Sequence, residues 1–308
     1  MIMQQVVEIH KISQMHQMGG LPKPKHQLVS VIHNRDIQMI SNLQEVKVIN
    51  HLYTIIFKSS HVCSAFSYGR NLYDYEDGTL VFTSPGQVME FKSDAEEDTQ
   101  IDPDGWSLVF HPNIFRKSDL ADKINKYSFF HYDSNEALHL SDDERNSIED
   151  LLNKIIQEYS QRLDRHSQHL IVSNIELFLD YCLRFYDRQF LSRTNLNSDF
   201  ISKFERLLVN YYESDQACSQ GVPSVEYCAK QLHLTPNYLS DLLKKETGKT
   251  TLEHIHLFLI EKAKNSLLNS SDTISGIAYS LGFEFPQRFS NLFKSKTGMS
   301  PKEYRSLN

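Results

Sequence analysis

Residues 282–301 read GFEFPQRFSNLFKSKTGMSP. Phe289, Leu292 and Phe293 recur at i, i+3 and i+4, a spacing that gathers apolar side chains on one stripe of a helix. Gln287, Ser290, Asn291 and Lys294 lie opposite that stripe, with Arg288 and Ser295 on its flank. These side chains carry donors, acceptors and positive charge, and none is needed to fill a core. Gly298, just past the last periodic residue, predicts the helix stop. Gly282 and Phe283 separate this helix from an earlier apolar run, Ile274 to Leu281. Helix, tight glycine-containing turn and second helix with a polar outer face make the layout of a helix-turn-helix.

The pattern occurs once before, about fifty residues upstream. Pro236, Ser240, Leu242, Lys244, Thr247 and Gly248 recur at offset 50, and Ala229 and Leu232 recur at offset 49. A repeated pattern of buried and exposed positions predicts a repeated structural unit. In the first copy Ser224 is the expected N-cap, and Val225, Cys228, Ala229 and Leu232 face inward. His233 stands where the second copy has Gly282, and His is among the residues tolerated in a left-handed turn. Thr235-Pro236 reads as an N-cap followed by Pro at the first helical position. Leu239, Leu242 and Leu243 are expected inward, Asn237, Ser240, Asp241 and Lys244 outward, and Tyr238 and Lys245 on the flank. Between the copies, Ile255, Phe258, Leu259, Ala263 and Leu267 stripe a helix over about 252–268.

The segment from about Asp199 to Arg305 resembles the DNA-binding domain of the AraC/XylS family of bacterial transcription regulators. Gly282-Phe283, Phe289, Phe293-Lys294, Gly298 and Ser300-Pro301, followed by Tyr304-Arg305, carry the likeness. It covers a third of the chain closely and the rest only in general organisation. The resemblance implies that Asn237, Ser240 and Asp241, then Gln287, Arg288, Ser290 and Asn291, face bases. Arg reads guanine bidentately, Asn and Gln read adenine, and an acid accepts from the cytosine amino group. Lys244, Lys245, Lys249, Lys294 and Lys296 are better suited to phosphates. Asp241 departs from the family, in which Arg is common at that position. Gly276, inside the first helix of the second copy, costs ~1 kcal/mol relative to Ala.

At 308 residues the chain has room for two cores. Its net charge of −7 is uneven. Residues 219–308 hold 11 Lys and Arg against 8 Asp and Glu (+3), and the remainder 21 against 31 (−10). Only the C-terminal part suits a polyanion, and modestly. No apolar run approaches the ~20 residues that span a bilayer, and the N-terminus lacks signal-peptide features, so a cytoplasmic protein without membrane contact is expected. Cys63, Cys182, Cys218 and Cys228 show no CxxC spacing, which argues against a disulfide framework or zinc site. A redox pair of Cys218 and Cys228 is the alternative. His166 and His169 lack carboxylate or thiol partners for zinc.

Residues 1 to about 110 read as short strands, at Leu28 to Ile32, Leu52 to Phe57, Thr79 to Thr83 and Gly105 to Phe110. Turns are expected at Gly69-Arg70-Asn71, Asp77-Gly78, Pro85-Gly86 and Pro103-Asp104-Gly105. This pattern predicts a sandwich or barrel, and the family resemblance favours a cupin-like effector-binding barrel. The metal-binding form of that barrel needs a His shortly after a Pro-Gly turn, but Pro85-Gly86 leads into Gln87, Val88 and Met89. No metal, cofactor or catalytic residue is therefore expected. Tyr68, Arg70 and Trp106 are cavity candidates, each with a plain reading as wall or rim; the effector-binding residues stay unknown. The acidic run Asp94 to Asp98 lacks the EF-hand pattern and reads as a solvated loop.

Ser141-Asp-Asp-Glu144 is a capping box before Ile148, Leu151, Leu152, Ile155 and Ile156, predicting a helix to about Ser160. A second helix, about 167–187, carries Ile171, Ile175, Phe178, Leu179, Cys182 and Phe185. The expected fold is α+β. It comprises an N-terminal cupin-like β-barrel with two packed helices (1–190), a linker (191–197) and an all-α domain of two helix-turn-helix motifs joined by a linker helix (198–308). The expected function is a sequence-specific DNA-binding transcription regulator, an activator or a repressor, controlled by a small-molecule effector. Double-stranded promoter or operator DNA is the main partner, and the resemblance adds homodimerisation and RNA polymerase contact. The competing functions are a protein-binding adaptor with a degenerate helix-turn-helix and a cupin-type enzyme.

Overall fold

A computed structural model describes residues 6–38, 47–59, 78–90, 102–116, 118–214 and 216–306. The chain divides into two compact units, Met1–Ser192 and Arg193–Asn308. Tyr68, Arg70, Cys63, the 69–71 turn, Asp77 and the 94–98 acidic run lie outside the described residues.

The first unit begins with β1 (Val6–Ile9) and α1 (Ile12–Met18), followed by β2 (Val29–His33), β3 (Lys47–Asn50), β4 (Tyr53–Lys58), β5 (Thr79–Thr83), β6 (Gln87–Glu90) and β7 (Trp106–Phe110). A short helix α2 (Leu120–Lys123) and strand β8 (Leu138–His139) precede the long helices α3 (Asp142–Ser160) and α4 (Ser167–Ser192). The described strands form two sheets. One has three strands in the order β1-β3-β6, with β1 parallel to β3; the other is antiparallel, in the order β2-β7-β4-β5-β8. Ile9, Ile12 and Val48 from the first sheet and its helix pack with Ile32 and Val109 from the second in one buried cluster.

All four sequence-predicted strands are present within a residue or two. β1, α1, β3, β6 and β8 have no sequence signature, because strands of four residues or fewer carry too little periodicity to read, and α1 is a helix of seven. The same holds for residues 112–136, a series of single 3₁₀ turns around α2. That irregular stretch supplies Ile114, Phe115, Leu120, Phe129 and Phe130 to the core.

Ser141 caps α3 as expected, its Oγ accepting from Glu144 N at 3.3 Å while Glu144 reaches back to Ser141 N. α3 and α4 are antiparallel: Arg188 near the end of α4 donates to both oxygens of Glu144 at the start of α3, and to His139 O. The predicted stripes of both helices are spent on their own unit. Phe178 meets Trp106 edge-on at 6.3 Å, and Tyr159 Oη accepts from Val31 N. A separate row, Leu170, Leu177 and Leu191, is exposed on α4.

The second unit is helical: α5 (Thr194–Glu213), α6 (Gln216–Gln220), α7 (Val225–Gln231), α8 (Pro236–Thr247), α9 (Thr251–Asn269), α10 (Ile274–Ser280), α11 (Pro286–Thr297) and α12 (Pro301–Arg305). α4 and α5 cover all of 191–197 except Arg193, where the backbone leaves the helical region. A polar composition signals solvent exposure, and helices tolerate that as readily as coil does.

Candidate nucleic-acid interface

Two helix pairs, α7–α8 and α10–α11, carry the sequence-predicted residues. In the first pair Ser224 Oγ accepts from Tyr227 N at 3.1 Å and caps α7. The turn then needs a left-handed residue to reverse the chain. His233 supplies it with φ 57°, the one non-glycine residue of positive φ among the described residues. Thr235 Oγ1 accepts from Tyr238 N at 3.2 Å, Pro236 occupies the first turn, and left-handed Gly248 ends α8. Leu239, Leu242 and Leu243 are buried as predicted. Tyr238, expected on the flank, is buried instead.

The expected outer face of α8 is only partly outward. Asn237, Lys244 and Lys245 are exposed, and Asp241 is half-buried. Ser240 differs from its base-facing expectation: its Oγ lies 3.1 Å from Oγ1 of Thr251, which is fully buried at the start of α9. Periodicity alone misses this because Ser240 borders the polar stripe on the side where α9 docks.

In the second pair Thr273 Oγ1 accepts from Gly276 N at 3.0 Å. Gly276 therefore sits in the first turn of α10 as part of its cap, rather than mid-helix. Left-handed Gly282, φ 87°, reverses the chain. Phe289 and Phe293 are buried, Leu292 half-buried, and Gln287, Arg288, Asn291 and Lys294 exposed. Ser290 is half-buried. The N-cap of α11 is Phe285, which offers no side-chain cap. Instead its exposed ring lies 5.4 Å from the Arg288 guanidinium. Helical periodicity does not single out Phe285; its signal is an aromatic at a cap position, where Ser, Thr, Asp or Asn is usual.

Three contacts fix the pairs within their unit. α9, at 19 residues, is roughly 28 Å long. It holds α8 through Ser240–Thr251 and through Thr247 Oγ1 and His254 Nε2, 2.7 Å apart. The third is direct: a Cβ built on Gly282 would lie 2.5 Å from the Gly221 carbonyl carbon. The second turn therefore presses backbone to backbone on the entry to the first pair, so α9 is not the sole spacer. Burial, then Lys249 for His254 and Lys296 for His256, depresses both imidazoles, so the exposed lysines and Arg288 supply the positive charge near pH 7. Burial also pushes the Cys228 thiol up to about 12. Cys182, Cys218 and Cys228 are free thiols, with only Cys218 exposed.

Residues 228–306 match a family model described as a helix-turn-helix domain. An uncharacterised helix-turn-helix-type transcriptional regulator of Bacillus subtilis, YobQ, is 32% identical over 83 residues, 27% of this chain and 34% of that protein. The helix-turn-helix-type transcriptional activator RhaS of Escherichia fergusonii is 35% identical over 82 residues, 27% of this chain and 30% of its own. The chain thus spans about a third of these relatives' length. Among solved structures, the C-terminal domain of the two-component response regulator yesN from Fusobacterium nucleatum is similar at 31% identity. That match covers 33% of this chain and 96% of that domain, with a TM-score of 0.29.

Proposed function

We propose, from the match of residues 228–306 to a helix-turn-helix domain and their resemblance to the AraC/XylS family, that the chain is a sequence-specific DNA-binding transcription regulator. The observation that carries this reading is the duplicated pair: α8 and α11 each end on left-handed glycine and each expose lysines and amide side chains, on one packed unit. An α9 of roughly 28 Å matches the ~34 Å between successive major-groove segments closely enough for both helices to be engaged.

The second helix is the stronger reader. Gln287, Arg288 and Asn291 are exposed together on α11, whereas α8 has Ser240 tied to Thr251 and carries the acid Asp241. Asn237 and Asp241 then read bases weakly, and Lys244, Lys245 and Lys294 hold phosphates. The same weakness in α8, with the modest +3 charge of residues 219–308, favours the adaptor as the second reading. A small-molecule effector in the first unit completes the regulator. Trp106 supports it: the ring is buried against Phe57 and Phe178, and its Nε1–H has no partner among the described residues. The exposed Leu170, Leu177 and Leu191 row is the face a homodimer would use, since the predicted stripe is already covered. RNA polymerase is the further partner if the chain activates transcription.

The test is fluorescence anisotropy of the full chain on its own upstream DNA and on scrambled DNA, across a salt series. Tight binding to the upstream DNA with a steep salt slope is expected. Weak binding, equal on both DNAs and unchanged by cell metabolite extract, sinks the regulator and leaves the adaptor.

A further inference from the structure

We propose that Glu8, His10 and His51 bind a divalent transition-metal ion, with Zn²⁺ best suited to their chemistry. The site is independent of the DNA-binding reading and revises the sequence-based expectation that no metal is held.

Strand register builds it. β1 and β3 run parallel with Glu8 opposite Ile49 and Ile9 opposite Asn50, so the next step sets His10 beside His51. His51 N donates to Ile9 O at 2.8 Å, carrying the pairing past the strand ends. Glu8 and His10 are two residues apart and share a face of the extended chain. The three ligand atoms consequently lie within 4.8 Å of one another. Nε2 of His10 and of His51 stand 3.0 and 3.4 Å from the same Glu8 Oε2. Tetrahedral zinc with ligand bonds of about 2.0–2.2 Å holds its ligands about 3.3 Å apart, so the cluster is already near that spacing.

The imidazoles stack with centroids 4.1 Å apart and planes 8° from parallel, so at least one ring must turn for both Nε2 lone pairs to reach one ion. One further observation points to a ligand. His51 Nε2 is shielded from solvent and has no hydrogen-bond partner among the described residues; its 3.4 Å approach to Glu8 is an ion-pair distance without hydrogen-bond alignment. A shielded ring nitrogen without a partner is costly, and a metal would supply one. His111 is not a fourth ligand. Its Nδ1 accepts from Asn113 N at 3.0 Å, which leaves the neutral ring's proton on Nε2. Two imidazoles and one carboxylate, with a position left for water, form a donor set that zinc takes readily.

The experiment uses the untagged full chain, stripped with chelator and titrated with ZnCl₂ by calorimetry, beside His10→Asn, His51→Asn, Glu8→Gln and a distant control, His169→Asn. One zinc per chain is expected, unchanged in His169→Asn. Affinity should fall at least about tenfold in each of the other three, since losing a ligand costs no less than losing an outer-shell partner. A parallel CoCl₂ titration guards against misfolded variants: the parent should give the visible absorption of four-coordinate cobalt, changed in Glu8→Gln while its circular dichroism stays native. Zinc binding that survives in His10→Asn and His51→Asn, or no stoichiometric binding by the parent, overturns the proposal and leaves a surface ion pair.

Discussion

Gly282 and His233 hold the same turn position in the two helix pairs, but the surroundings make their substitutions unequal. Gly282 has φ 87° and lies against the backbone of Gly221, which no side-chain rotation can relieve. Gly282→Ala should cost roughly 3 kcal/mol or more by urea unfolding, combining left-handed strain with overpacking. Gly298 is equally left-handed, at φ 78°, but open space surrounds the position a Cβ would take, with nothing within 4 Å. Gly298→Ala should cost only about 1 kcal/mol; equal losses would show that the Gly221 contact is not maintained in solution. On the interface, Arg288→Ala should weaken binding by ~1–3 kcal/mol and relax sequence preference. Lys294→Ala should weaken all sequences alike and flatten the salt slope. An unchanged preferred site in Arg288→Ala would place the base-reading face elsewhere. Thiol chemistry divides the same way: Cys218 should react with iodoacetamide at pH 8 while Cys228, shielded and raised to about 12, does not. That contrast argues against the redox pair.

At the scale of elements, several helix starts are legible because caps are local. Ser141, Thr235, Ser224 and Thr250 each accept from a backbone N–H three residues on, as a sequence pattern can anticipate. Thr250→Ala should cost about 1 kcal/mol and loosen the start of α9, beside the Ser240–Thr251 contact. α11 is different from its counterpart α8, since Phe285 caps nothing and stacks on Arg288 instead. Phe285→Ser adds a cap worth about 1 kcal/mol and removes an exposed cation–π contact worth ~0.5–1 kcal/mol. Stability should therefore barely move while sequence preference relaxes, because Arg288 is no longer held. A stability gain without any change in preference would assign the ring no part in reading. The short strands are illegible for the opposite reason: β1 and β3 exist by pairing with each other, about forty residues apart, and neither has a periodic signature of its own.

For the whole molecule, two units with separate cores predict unfolding that is not two-state. Arg188 ties α4 to Glu144 of α3 and to His139 O, so Arg188→Ala should lower the transition of the first unit by roughly 2–3 kcal/mol. Gly282→Ala should lower only the other. Both substitutions shifting one common transition by calorimetry would show that the units unfold together. The sequence by itself determined the helical C-terminal unit, its duplicated pairs, the caps of the first pair and the inward leucines and phenylalanines. All of these follow from interactions within a few residues along the chain. Only the tertiary structure decided that Ser240 turns to Thr251, that Gly282 rests on Gly221, and that Glu8, His10 and His51 converge. Each of these is a contact between segments whose separation in sequence carries no period, set by packing and strand register rather than by local preference.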